Sequence, residues 1–83
     1  MKYKIIILKR AMKYIRKQPR DFQEKILKEI YKLPIGDVRK MKGHHDLYRL
    51  RIDKIRVIYT IDNNILTITV IDAGNRGEIY NKY

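Results

Sequence analysis

The segment LYRLRIDKIRVIYTIDNNILTITVID, residues 47–72, alternates apolar and polar side chains with a period of two and is cut twice by short polar pairs. Such alternation places successive side chains on opposite faces of a sheet. It predicts three strands, at 47–52, 55–62 and 65–72, joined by two-residue turns at Asp53-Lys54 and Asn63-Asn64, where Asn suits positive φ. Turns of that length fix the pairing. At the first, Ile52 is expected to face Ile55, Arg51 Arg56, Leu50 Val57 and Tyr48 Tyr59. At the second, Ile61 is expected to face Leu66, Tyr59 Ile68, Val57 Val70 and Arg56 Ile71. One face of this meander then carries Tyr48, Leu50, Ile52, Ile55, Val57, Tyr59, Ile61, Leu66, Ile68 and Val70, which reads as a core. The other carries Leu47, Arg49, Arg51, Arg56, Ile58, Thr60, Thr67, Thr69 and Ile71 and reads as open to solvent.

Upstream, the period changes. Lys2–Leu8 is apolar and β-branched at its end and reads as a buried strand. Leu8, Ala11, Met12 and Ile15 then recur at helical spacing, with Lys9, Lys13, Arg16 and Arg20 as a basic stripe on the other side. Pro19 ends this helix or opens the next, and Asp21 and Glu24 suit a first turn. Phe22, Ile26, Ile30 and Leu33 share one face of the second helix, which Pro34 and Gly36 close. Two helices joined by about three residues form an antiparallel hairpin. Residues 35–46 read as a polar connection, and the tail from Ala73 as a loop ending in a short strand. The order β-α-α-β-β-β is an α+β fold, a small, mostly antiparallel sheet covered on one face by a helix hairpin.

With 83 residues the chain holds one domain. It has no cysteine, which removes disulfides, thiol catalysis and cysteine-ligated metal together. The apolar run Ile5–Leu8 is too short for a membrane span or a signal core, so a cytoplasmic protein is expected. Twenty Lys and Arg against nine Asp and Glu give a net charge of +11, the footprint of a polyanion or an acidic protein partner. Residues 1–20 carry eight basic groups and no acid, and residues 47–59 carry four against one, whereas 21–46 are almost balanced.

The expected Arg51–Arg56 pairing is a conflict, because like charges directly across a ladder repel. No carboxylate on that face relieves it, and a local rule broken without compensation marks a candidate functional site. Arginine forks fit phosphate, so an anion site is expected there.

These residues carry a resemblance. Lys40-Met41-Lys42-Gly43, Asp46-Leu47-Tyr48-Arg49-Leu50-Arg51, Arg56-Val57-Ile58-Tyr59, Ile71-Asp72-Ala73-Gly74-Asn75-Arg76 and Glu78-Ile79-Tyr80 together resemble the RelE-like toxins of the RelE/ParE toxin–antitoxin superfamily. The resemblance implies a small sheet against a helix hairpin, in agreement with the reading above. It also implies growth arrest by ribosome-dependent mRNA cleavage in the A site, without metal or other cofactor. The ribose 2′-hydroxyl attacks the adjacent phosphate, leaving a 2′,3′-cyclic phosphate and a 5′-hydroxyl. Arg51, Arg56, Arg76 and Tyr80 are the catalytic residues so implied, with Arg49 on a flanking phosphate. Lys9, Lys13 and Arg16 are the expected contacts to ribosomal RNA. The implied protein partner is a small acidic antitoxin.

The sequence departs from the family in places. Arginines stand at 49 and 51 where several members have lysine, and arginine is a poor general base, which leaves Tyr80 as the main base candidate. Another branch uses a carboxylate and a C-terminal histidine; Asp37 is a weak match to the first, and His44 and His45 read as loop residues. Asn75 replaces a common His or Lys. The chain ends three residues after Tyr80, so a C-terminal helix seen in some members is expected to be missing, with Tyr83 available for stacking. Asp72 and Glu78 read as charge partners for Arg76 or the tail, and Met12, Met41 and Phe22 as core or capping residues. A ParE-like inhibitor of DNA gyrase without nuclease activity and an inactive RNA-binding relative are the competing readings.

Overall fold

The computed structural model describes residues 3–41 and 46–83, the side chain of Tyr80 excepted. Its elements are β1 (Lys4–Ile7), α1 (Lys9–Arg16), α2 (Arg20–Ile30), β2 (Val38–Lys40), β3 (Tyr48–Ile52), β4 (Ile55–Asp62), β5 (Thr67–Asn75) and α3 (Arg76–Lys82). The five strands form one sheet in the order β1-β5-β4-β3-β2. Only β1 is parallel to its neighbour, pairing Lys4 with Thr67 through Ile7 with Val70. The fold is the expected α+β arrangement.

The helices sit where the apolar spacing puts them. Ala11 and Ile15 of α1 and Ile26 and Ile30 of α2 are fully buried, packed with Leu50, Ile52, Ile55, Val57, Tyr59, Ile68 and Val70. Pro19 is the N-cap residue of α2, and residues 17–19 link the two helices. Phe22 packs against the same core.

The β3–β4 hairpin has the expected register throughout, from Ile52 beside Ile55 to Tyr48 beside Tyr59. Asp53 takes the positive φ, at 50°. The β4–β5 hairpin does not. Asp62 pairs with Thr67, Ile61 with Ile68 and Tyr59 with Val70, so the loop is four residues long, at 63–66. The Asp62 carboxylate accepts from the backbone N–H groups of Asn64 (2.9 Å) and Ile65 (3.3 Å), building the turn from its own side chain. Positive φ falls on Leu66, at 48°, and on neither asparagine. A shift of two keeps the faces, so Ile68 and Val70 stay in the core. A bulge between Ile58 and Tyr59 then shifts the register once more and pairs Val57 with Ala73 and Arg56 with Gly74.

Four further expectations are corrected. β1 has exposed Lys4 and Ile6 alternating with half-buried Ile5 and Ile7, because it pairs on one side only. The connection at 35–46 contains β2, which extends the sheet beyond β3. The tail forms helix α3 rather than a strand, so a C-terminal helix is present. The second sheet face is partly covered. Ile79 of α3 is fully buried against Ile58 and Met41, with Leu47, Ile71 and Tyr83 around them. Asp72 is the polar fastener of that cover. It is 1% exposed and accepts from the Ala73 N–H (2.9 Å), the Tyr83 hydroxyl (3.2 Å) and the Lys82 ammonium (3.4 Å), with Arg10 of α1 at 3.7 Å. Its charge partners are therefore the tail and α1. Glu78 instead accepts from the Asn75 amide at 3.4 Å.

The stacked Tyr48 and Tyr59 rings lie 5.6 Å apart. Burial, and then the neighbouring Tyr48 phenol, push the Tyr59 hydroxyl up to about 12. An unfolded tyrosine ionises near 10, so above that pH the unfolded state binds fewer protons and stability falls between about pH 10 and 12. Replacing Tyr59 with Phe is expected to flatten that fall. Urea midpoints at about pH 9 and about pH 11 for both proteins check it; parallel losses would contradict the assignment.

Candidate anion site

Arg39, Arg49, Arg51, Arg56, Arg76 and Asp37 line one depression of about 210 Å³. The sheet assembles it. Arg39 of β2 lies directly beside Arg49 of β3, and Arg51 of β3 directly beside Arg56 of β4. Arg49 and Arg51 are two residues apart on one strand and so share a face. Two like-charged pairs therefore stand side by side, and α3 adds Arg76 as its first residue.

The β3–β4 turn anchors two of the five. An Arg56 terminal nitrogen donates to the carbonyl oxygens of Asp53 (3.0 Å) and Ile55 (2.9 Å). The Arg76 backbone N–H donates to Lys54 O at 3.2 Å. The turn is itself tied to α2 by the Lys25–Asp53 ion pair at 2.8 Å. From the other side, the Tyr14 hydroxyl of α1 donates to Asn75, the N-cap residue of α3, at 2.7 Å.

Arg56 does not lie in solvent. It is 5% exposed, and its Nε is buried with no hydrogen-bond partner. A buried, unsatisfied donor on a charged group is costly. Arg51 is exposed and pairs with Asp37 at 3.7 Å, while its N–H donates to Asp37 O at 2.9 Å. Asp37 thus supplies the carboxylate beside the arginines, from the connection before β2. An exposed pair at that distance contributes little to stability.

The sequence reading named Arg49, Arg51, Arg56 and Arg76, and all four line the depression. It missed Arg39. The available signal was Val38-Arg39, one apolar and one basic residue in strand alternation, which is too short to separate from a loop. The backbone of Tyr80 lies in α3, four residues after Arg76. His44 and His45 lie outside the described residues. Lys9, Lys13 and Arg16 are apart from the cluster. They line a separate groove of about 730 Å³ on α1, with Ile7, Arg10, Met12 and Lys17. Among the described residues no helix is long and apolar enough to cross a membrane.

No protein-family model matches the chain, and no curated protein matches it in sequence. Solved structures do match. The archaeal RelE–RelB complex from Pyrococcus horikoshii aligns at 29% identity with a TM-score of 0.75, over 93% of this chain and 98% of that one. A variant of the Escherichia coli toxin RelE in the free state aligns at 26% identity and TM-score 0.74, over 98% and 93%. The RelBE2 toxin–antitoxin complex from Mycobacterium tuberculosis aligns at 15% identity and TM-score 0.77, over 92% and 100%. The chain is RelE-like in fold along nearly its whole length.

Proposed function

We propose that this chain is the toxin of a type II toxin–antitoxin pair and an endoribonuclease that cuts mRNA on the ribosome. The observation that carries the proposal is the depression in which five guanidinium groups meet one carboxylate, with a buried, unsatisfied donor on Arg56.

Attack by a ribose 2′-oxygen on the adjacent phosphorus forms the 2′-O–P bond and breaks the P–O5′ bond. The 2′-hydroxyl proton passes to a base, and the departing 5′-oxygen takes up a proton. Negative charge peaks on the phosphorane oxygens between these events. Fixed guanidinium groups stabilise that charge with little reorganisation. Arg56 and Arg76, both tied to the β3–β4 turn, bind the scissile phosphate, and Arg51 stabilises the transition state or the leaving oxygen. Arginine stays protonated, so the base is another group. Tyr80, the base candidate that the sequence offers, takes that role. Lys9, Lys13 and Arg16 contact ribosomal RNA phosphates in a salt-sensitive, sequence-tolerant manner.

The partner is an acidic antitoxin. The solved neighbours include complexes of RelE with RelB, and a net charge of +11 favours an acidic chain.

The test is inducible expression with mRNA 5′ ends mapped before and soon after induction. New cuts within translated codons, absent for Arg76→Ala and for Tyr80→Phe, are the expected result. Loss of cutting in Asp37→Asn but not in Tyr80→Phe would move the base to the carboxylate. Growth arrest with DNA breaks and intact mRNA would replace the proposal with a gyrase-directed inhibitor.

A further inference from the structure

The arginines of the depression outnumber what one phosphate needs, and they fall into two groups. Arg51 and Arg56, flanked by Arg76, form the group at the β3–β4 turn. Arg39 and Arg49 form a second cross-strand pair, on β2 and β3. From Arg51 to Arg49 is one two-residue step, about 6.6 Å along a strand. From Arg49 to Arg39 is one strand spacing, about 4.8 Å across. That displacement is comparable with the step between consecutive phosphates of an extended nucleic-acid strand.

The two groups also differ in local compensation. Arg51 has Asp37, and Arg56 has two carbonyl oxygens. Neither Arg39 nor Arg49 makes a side-chain hydrogen bond or ion pair among the described residues, although they sit directly opposite each other. Like charges placed so cost stability. β2 is also a three-residue edge strand, on which a splayed, solvated side chain is easily accommodated. Two guanidinium forks side by side match the oxygens of a phosphate diester.

We propose that Arg39 and Arg49 form a second phosphate subsite, one nucleotide along the strand from the subsite of Arg51, Arg56 and Arg76. The ligand is then a single-stranded RNA backbone with two consecutive phosphates engaged, and Arg39 is a positioning residue that sets the strand's register over the cleavage subsite. This inference rests on the nucleic-acid reading of the depression.

The test uses the full chain and a short, fluorescent 2′-O-methyl oligonucleotide, which cannot be cleaved. Its phosphates are replaced by neutral methylphosphonates one position at a time, and affinity is read by anisotropy. The parent protein is expected to lose about tenfold at each of two adjacent positions, the loss of one charge-assisted contact. Arg39→Ala should lose about tenfold on the unmodified probe and become indifferent to neutralisation at one of those two positions. Its slope of log affinity against log salt should fall by about 0.7, the single-strand value for one phosphate. Its thermal midpoint should not drop, since a repulsive pair is removed. If Arg39→Ala keeps both sensitive positions while Arg56→Ala loses one, the second subsite is refuted and the anion site stands. If neither variant changes binding, the nucleic-acid reading of the depression fails with it.

Discussion

Replacing Arg56 with lysine should lower RNA cleavage by about 10²–10³-fold, the loss expected when a preorganised donor to a developing oxyanion is removed. Arg56 spends one terminal nitrogen on the carbonyl oxygens of Asp53 and Ile55 and still presents further N–H groups from a side chain only 5% exposed. A lysine ammonium is a single point charge on a flexible stem. It can satisfy the carbonyls or the phosphate, but it cannot hold the planar fork that serves both. Keeping the positive charge therefore does not keep the function. Alanine is the harsher change, since it leaves the buried Ile55 carbonyl without this donor, at about 1–3 kcal/mol. Cleavage assays on Arg56→Lys, alongside its thermal midpoint, separate the two effects. A folded Arg56→Lys protein that cuts RNA at the parental rate would show that this guanidinium is structural.

The second large effect is expected from Ile79→Ala, which touches no substrate. Ile79 is the fully buried apolar side chain of α3, packed against Met41 and Ile58. Truncating such a residue costs about 2–5 kcal/mol. A helix of seven residues does not hold itself together in water, so the loss falls on α3. The hydrogen bonds of Asp72 to Lys82 and Tyr83, and of the Arg76 N–H to Lys54, do not replace that burial. The expected result is local opening of 76–82, read as lost amide protection in hydrogen exchange. Cleavage should fall at least tenfold as Arg76 leaves its place, while exchange in β3 and β4 stays near parental levels. Uniform loss of protection across the sheet would instead make α3 part of the global cooperative unit.

The two hairpins show where the sequence was legible. Asp53-Lys54 joins strands whose alternation runs unbroken on both sides, so one assumption about turn length placed every pair, including Arg51 beside Arg56. At 63–66 the pattern was equally regular, but Asp62 caps the turn with its own carboxylate and lengthens the loop by two residues. Even displacement preserves the alternation, and so leaves no trace in it. The bulge that brings Ala73 inward is likewise silent, because the β-branched run simply ends there. α3 was missed because Arg76-Gly77-Glu78-Ile79-Tyr80-Asn81-Lys82 offers little apolar periodicity and an early glycine. Its helicity depends on the pocket that receives Ile79, which is a tertiary property. Arg49, Arg51 and Arg56, which the register puts on one face, and Arg76, taken from the resemblance, line one depression; Arg39 depended on recognising a three-residue strand.

The parallel pairing of β1 with β5 has a consequence for how the protein comes into being. β1 has one strand partner, β5, and α1, α2, β2, β3 and β4 all lie between the two in sequence. Contacts so distant in sequence form late. Arg76 follows β5 directly, so this strand also carries the last arginine of the depression. Until β1 arrives, β5 keeps one edge unpaired, so the strand that leads into the arginine site is also open to pairing with another chain.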